Sequence, residues 1–193
     1  QEVRGSAGAM YAYEDLMLAL EGERLLERDI EFLPSSEEMA ERRRAGRGLE
    51  RPELAVLLAY AKRSLTGALL RSELPDDPFL EGALRGYFPG PVVERFGDLL
   101  GEHPLRRELV ATIVSNHVVD ALGPTFVSRL VAELGAQPAG VVRAYLAARD
   151  LVDATSRWEA IERLDRSVDR TAVWELMEGL DRVVEATARW YLK

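Results

Sequence analysis

The stretch "GLERPELAVLLAYAKRSL", residues 48–65, decides the fold class. Between Pro52 and Lys62 almost nothing is polar, in a chain that is 30% charged. Leu54, Leu57, Leu58, Ala61, Leu65, Ala68 and Leu69 recur on one helical face, and Val56, Ala59 and Tyr60 carry the apolar character nearly all round the first two turns. A helix of that composition belongs in an interior, packed on several sides, with Leu58 fully buried. The run is far shorter than the roughly 20 apolar residues a membrane-spanning helix needs.

Outward from this segment the punctuation is regular. Pro52, Pro78, Pro91, Pro104, Pro124 and Pro138 each precede an apolar run at helical spacing. Proline suits the first helical position, where its missing N–H removes no hydrogen bond. Gly123 and Gly135 stand where helices end. Ser35 with Glu38, and Ser156 with Glu159, have the spacing of capping boxes. Helices are therefore expected near 9–29, 35–45, 52–71, 78–87, 91–100, 104–122, 124–134, 138–152, 156–165 and 170–192. No stretch alternates apolar and polar residues as a strand would, and no fixed-period repeat marks a solenoid. The expected fold is all-α, an irregular multi-helix bundle of about nine or ten short-to-medium helices with no sheet. One domain over 1–193 is expected, with an N-terminal layer (1–100) and a C-terminal layer (101–193). The loop "SELPDDPF" (72–79) is the clearest break inside it.

Composition narrows the function classes. The 193 residues carry 33 acidic and 25 basic side chains, a formal charge of −8. That balance opposes sequence-independent binding to nucleic acid or anionic lipid. Cysteine is absent, which excludes disulfide and thiolate chemistry and suits a cytoplasmic location. The start, "QEVRGSAGAM", lacks the continuous apolar core of a signal peptide, and its opening Gln reads as that of a piece of a longer or processed chain.

Chemistry-bearing motifs are sparse. His103 and His117 are the two histidines, and their separation matches no metal-ligand spacing. There is no G-x-G-x-x-G, no phosphate-binding loop and no nucleophile elbow. Glu37–Glu38 and Asp76–Asp77 open helices, where the macrodipole favours negative charge. Arg42, Arg43 and Arg44, followed by Arg47 and Arg51, could meet a phosphate or an acidic partner, although cations near a helix C-terminus have a solvated, structural role. Asn116 falls in line with Leu105, Leu109 and Ile113; as a buried amide it would hydrogen-bond a neighbour and fix a helix crossing.

Two helical segments invite a partner. Residues 127–146, "VSRLVAELGAQPAGVVRAYL", have the outline of a helix-turn-helix. The positions that would read bases are Ala139, Gly140 and Arg143, with nothing to grip adenine. In the final helix Val173, Leu176, Met177, Leu180, Val183, Val184, Thr187, Trp190 and Tyr191 form an apolar stripe that has to be covered. Internal cover by 104–122 and 138–152 is expected, with Trp174 or Trp190 left partly exposed as an interaction anchor.

Several strings together resemble one family. "LLERDIEFLPSSEEMAERR" (25–43), "GLERPELAVLLAYAK" (48–62), "LPDDPFL" (74–80), "YFPGPVVERF" (87–96), "HPLRRELVATIVSN" (103–116), "GPTFVSRLVAELGA" (123–136) and "VVRAYLAARD" (141–150) occur in the order found in the C-terminal helical region of the large bacterial NAD-specific glutamate dehydrogenases. The likeness continues more weakly to "ATARWYL". Glu50, Asp120 and Leu122 depart from the pattern, where a small hydroxyl residue, Asn and Gly are expected. The resemblance implies a parent enzyme that oxidises L-glutamate with NAD to 2-oxoglutarate and ammonium. Its catalytic and dinucleotide-binding residues lie upstream, so no catalytic, cofactor-binding or metal residue carries over and no cofactor is expected in this segment. What remains is support, oligomerisation or regulation: the implied partners are the catalytic domain of the same chain and further copies of the parent, with no nucleic acid and no membrane. The rival readings are a free-standing helical DNA-binding regulator using 127–146 and an interaction adaptor unrelated to any enzyme.

Overall fold

Pro52, in the first turn of a helix that runs Arg51–Leu70, shows why the apolar segment folds as it does. The Glu50 N–H, at the helix entrance, donates to Glu53 Oε2 at 2.6 Å. The 20-residue helix is rich in leucine and alanine, both strong helix formers. The fold, a computed structural model, describes residues 7–164 and 168–193. Its helices are α1 (Ala7–Gly22), α2 (Ser36–Arg44), α3 (Arg51–Leu70), α4 (Glu81–Tyr87), α5 (Gly90–Phe96), α6 (Arg106–Leu122), α7 (Phe126–Leu134), α8 (Pro138–Leu151), α9 (Ala154–Leu164) and α10 (Arg170–Tyr191). Short 3-10 segments occupy Leu74–Asp76, Pro78–Leu80 and Gly97–Glu102. Among the described residues there is no strand, and the all-α expectation holds. Residues 1–6, and Asp165 at the end of the expected 156–165 helix, lie outside the described residues.

The chain forms two units, Gln1–Arg129 and Leu130–Lys193, with the boundary inside α7. The "SELPDDPF" loop is therefore internal to the first unit, where it folds as two 3-10 turns.

In the first unit α3 pairs with α6 and also meets α1. Its buried face is a single i, i+4 row: Leu57, Ala61, Leu65 and Leu69. Ala55 and Ala59 are exposed and Leu58 is half-buried, so α3 is not enclosed on all sides. Alanine accounts for the difference, because it favours a helix without demanding burial. On α6 the buried face is Val110, Ala111, Val114, Ser115, Val118 and Val119. Lys62 Nζ reaches Asp120 Oδ1 at 2.7 Å along the same seam. Arg107 Nη2 donates to the Leu70 and Ser72 carbonyls at 3.1 and 3.0 Å, and Arg106 Nη1 to the Pro75 carbonyl at 3.1 Å. These guanidinium groups satisfy carbonyls that the end of α3 and its exit turn leave unpaired.

Helix ends differ from expectation in informative places. The first helix stops at Gly22, not near residue 29. There Arg24 adopts φ 57°, Arg24 N–H donates to the Glu21 carbonyl and Leu25 N–H to the Leu20 carbonyl. That is a Schellman motif with arginine in the left-handed position. A similar pair of bonds closes α2 at Gly46. Helices α6 and α7 begin two residues beyond Pro104 and Pro124, each after a turn. In the first of these turns His103 Nδ1 accepts the Leu105 N–H at 3.1 Å. The expected helix at 91–100 is divided into α5 and a 3-10 segment. The box at Ser35 and Glu38 is present. The one at Ser156 is not, because α9 starts at Ala154 and Ser156 Oγ instead donates to Asp153 Oδ1 at 2.8 Å.

In the second unit α10 lies against α8 and α9. The core there is Val141, Val142, Tyr145, Leu146 and Ala148 of α8, Ala154 of α9, and Val173, Val184 and Ala188 of α10. Within the unit, α9 is a second wall that the sequence did not indicate.

Leu57 is 0% exposed. Leu57→Ala should therefore cost about 2–5 kcal/mol, read from the urea midpoint and slope, and Leu58→Ala clearly less. Equal losses at the two positions would contradict the single buried row.

Candidate interaction surface

The arginines that end α2 are mostly committed inside the first unit. Arg42 makes a two-pronged pair with Glu53 of α3, Nη1 to Oε2 at 2.6 Å and Nη2 to Oε1 at 2.8 Å. That bond to Glu53, ahead of the opposing cost of desolvation, holds the guanidinium above its ordinary pKa. Arg43 pairs with Glu14 of α1 and stacks over the Tyr11 ring at 4.4 Å. Arg44 alone of the three is exposed. The run thus ties α2 to both neighbouring helices, and the three charges do not converge on one point as a phosphate site would require.

Asn116 is not in the core. The row Leu105, Leu109, Ile113 and Asn116 lines an open groove of about 340 Å³ together with Tyr87. The true buried face of α6 lies beside it. Both rows are apolar at helical spacing, so periodicity by itself chose the wrong one. His117 is half-buried on α6 and His103 caps a turn. Among the described residues no group of three or more metal-ligating side chains converges.

Trp174 is 44% exposed and Trp190 71% exposed. Sixteen residues apart, they lie roughly 160° from one another around α10, so they cannot form one contact. Trp190 continues a row with Leu176 and Val183, which are 47% and 50% exposed. Four of the nine residues of the expected apolar stripe are therefore exposed, Leu176, Val183, Trp190 and Tyr191, while Val173 and Val184 are buried and Met177, Leu180 and Thr187 half-buried. Arg189 clamps the end of the helix, pairing with Glu133 and, at 3.3 Å, with Glu185.

On the inner side Trp158 Nε1 donates to Asp181 Oδ1 at 3.1 Å. Burial pushes the Asp181 carboxyl above its ordinary pKa of 3.8; the Trp158 bond acts the other way, and Glu178 adds to the rise. Tyr145, fully buried in α8, has its hydroxyl pKa raised by desolvation.

A Gly-rich turn between strand and helix is what seats a dinucleotide pyrophosphate, and the described residues contain no strand from which to build one. The described residues do not fit a nicotinamide dinucleotide.

A model of the family "Glutamate dehydrogenase, C-terminal" matches residues 46–193. The chain belongs to that family. It is 44% identical over 156 residues, 81% of its length, to the NAD-specific glutamate dehydrogenase of Halomonas elongata, and equally to that of Pseudomonas aeruginosa. It is 39% identical over 142 residues, 74% of its length, to the NAD-specific glutamate dehydrogenase of Mycobacterium tuberculosis. It spans 9–10% of the length of these curated relatives. Within this glutamate dehydrogenase C-terminal region the candidate contact residues left in solvent are Arg44, Trp174 and Trp190. Among the described residues no helix is long and apolar enough to cross a membrane.

Two measurements check this geometry. Acrylamide should quench the chain's tryptophan emission mainly through Trp190, so Trp190→Phe removes most of the quenchable fraction and Trp158→Phe little. The raised Asp181 pKa means that the native state holds this proton more tightly than the unfolded chain. Its contribution to stability is full below pH 3.8 and is lost as pH rises through the raised value. Asp181→Asn keeps an oxygen acceptor for Trp158, so at neutral pH it should melt no lower than wild type, and its advantage should vanish toward acid pH.

Proposed function

We propose that this chain is a non-catalytic helical region of an NAD-specific glutamate dehydrogenase. The parent polypeptide oxidatively deaminates L-glutamate to 2-oxoglutarate and ammonium, with NAD as the hydride acceptor, in the cytoplasm. The region serves as a scaffold: it supports the catalytic domain of the same chain and takes part in building a homo-oligomer. The observation that carries the reading is the family match over residues 46–193, joined to 44% identity with relatives named for that activity. The all-helical architecture supports the non-catalytic part, since these residues offer no seat for the dinucleotide. Exposed Trp190, in row with Leu176 and Val183, supplies a contact surface of the residue types that anchor interfaces.

The DNA-binding alternative receives no such support. Val141 and Val142 face inward as the helix-turn-helix outline requires, but the start of α8 offers Ala139 and Gly140 where base-reading side chains would stand.

The test has two arms. Full-length polypeptide should reduce NAD when given L-glutamate, and failure to do so would overturn the parental activity. The 193-residue chain should show no turnover and a flat calorimetric titration with NAD and NADH. Saturable binding with a Kd of about 1 μM, an affinity of roughly −8 kcal/mol, would overturn the non-catalytic role.

A further inference from the structure

The turn that joins α1 to α2 presents two large apolar side chains to solvent. Phe32 is 89% exposed and Ile30 64%. Phe32 also has φ 54°. This left-handed region suits glycine and is strained for a bulky side chain. The strain belongs to a tight one-turn arrangement in which the Ile30 and Glu31 N–H groups donate to the Glu27 carbonyl and the Leu33 N–H to the Arg28 carbonyl.

The base of the turn is firmly held. Arg28 is 8% exposed; its Nε and Nη2 donate to the two Glu21 carboxylate oxygens at 2.9 and 2.8 Å, and its Nη1 to the Pro34 carbonyl and Ser36 Oγ at 3.3 Å. The Tyr60 hydroxyl donates to Glu31 from α3. Leu26, Leu33 and Pro34 are buried beneath. A phenylalanine at a glycine-favouring position, raised on a rigid base and touching almost nothing, gains nothing for this region's own stability. Such outliers persist where an interaction elsewhere offsets them.

We propose that Ile30 and Phe32 form a docking knob that seats in an apolar pocket with a basic rim on the remainder of the same polypeptide. The proposal rests on the reading above, in which this chain is the C-terminal region of a longer dehydrogenase. Charge identifies the pocket. Between residues 21 and 38 the exposed carboxylates are Glu23, Glu27, Asp29, Glu37 and Glu38, and Arg24 is the one exposed cation. A complementary surface must therefore surround its apolar floor with Lys or Arg. Charge also disfavours a second copy meeting this one knob to knob, since like carboxylates would face each other across the contact. The remainder of the polypeptide is the ample alternative, because the relatives are about eight times as long as this chain. A knob already fixed in its bound shape loses little conformational freedom on docking.

Hydroxyl-radical footprinting of the full-length polypeptide tests this without a substitution. In the folded protein Phe32 should be oxidised at least ~5-fold more slowly than in the urea-unfolded protein, as expected of an anchor from which water is excluded. Rates within twofold of one another would overturn the proposal. So would protection that disappears on dilution, because the cover would then be another chain. Phe32→Gly provides an independent arm. It relieves the strained backbone, so the variant folds, yet it removes the anchor. Hydrogen exchange of the peptide spanning 27–34 in the full-length protein should then quicken ~10-fold, about what a loss of 1.4 kcal/mol of local protection gives. Unchanged exchange would overturn the docking role. Glutamate turnover by the same preparation is scored separately, so an inactive enzyme counts against the proposed function and leaves the protection result to speak for the knob.

Discussion

The first unit depends on one seam, the row Leu57, Ala61, Leu65 and Leu69 of α3 set against the buried face of α6. Side chains at i and i+4 stand one above another on a helix, so this row is a straight ridge along α3. Burying each leucine is worth about 1.5–3 kcal/mol, and the seam is also tied at its lower end. Arg106 and Arg107, the first residues of α6, reach back to the carbonyls at and beyond the end of α3. The last turn of one helix and the first turn of its partner are thereby fixed together. α1 and α2 are added to this pair through Arg42–Glu53 and Arg43–Glu14.

Arginine has a distinctive place in this protein. Arg28, Arg42, Arg43, Arg106, Arg107 and Arg189 all bind carboxylates or carbonyls of the same unit. The planar fork explains the choice, since it can hold two acceptors at once where lysine offers a single point of charge. The carboxylate pairs consume carboxylates and guanidinium groups one for one, so the net charge of −8 is carried by the carboxylates in excess. An acidic exterior fits a scaffold for protein contact better than a surface for nucleic acid. It also gives the Ile30–Phe32 turn its acidic frame.

Much of this was legible from residues. Proline and glycine punctuation located α3, α8 and the ends of α6 and α7, because these residues act on their own backbone whatever surrounds them. The box at Ser35–Glu38 is equally local. The end of α1 was missed although Gly22 marked it, because Arg24 and not glycine occupies the left-handed position of the cap. The turn that presents Phe32 falls in the gap between the expected helices at 9–29 and 35–45, where no local signal marks the most exposed aromatic side chain among the described residues.

By itself the sequence determined the all-helical class, the helix order and the family, since periodicity, caps and long specific strings depend only on neighbours in the chain. Which apolar row faces inward was decided by tertiary structure alone. α6 carries two such rows, one burying Val110 and Val114 and the other lining a groove beside Asn116, and they differ only in what packs against them. The same holds for α10, where Val184 is covered and Val183 is not. Burial is a property of the partner surface, and no helix encodes its partner's position in its own period.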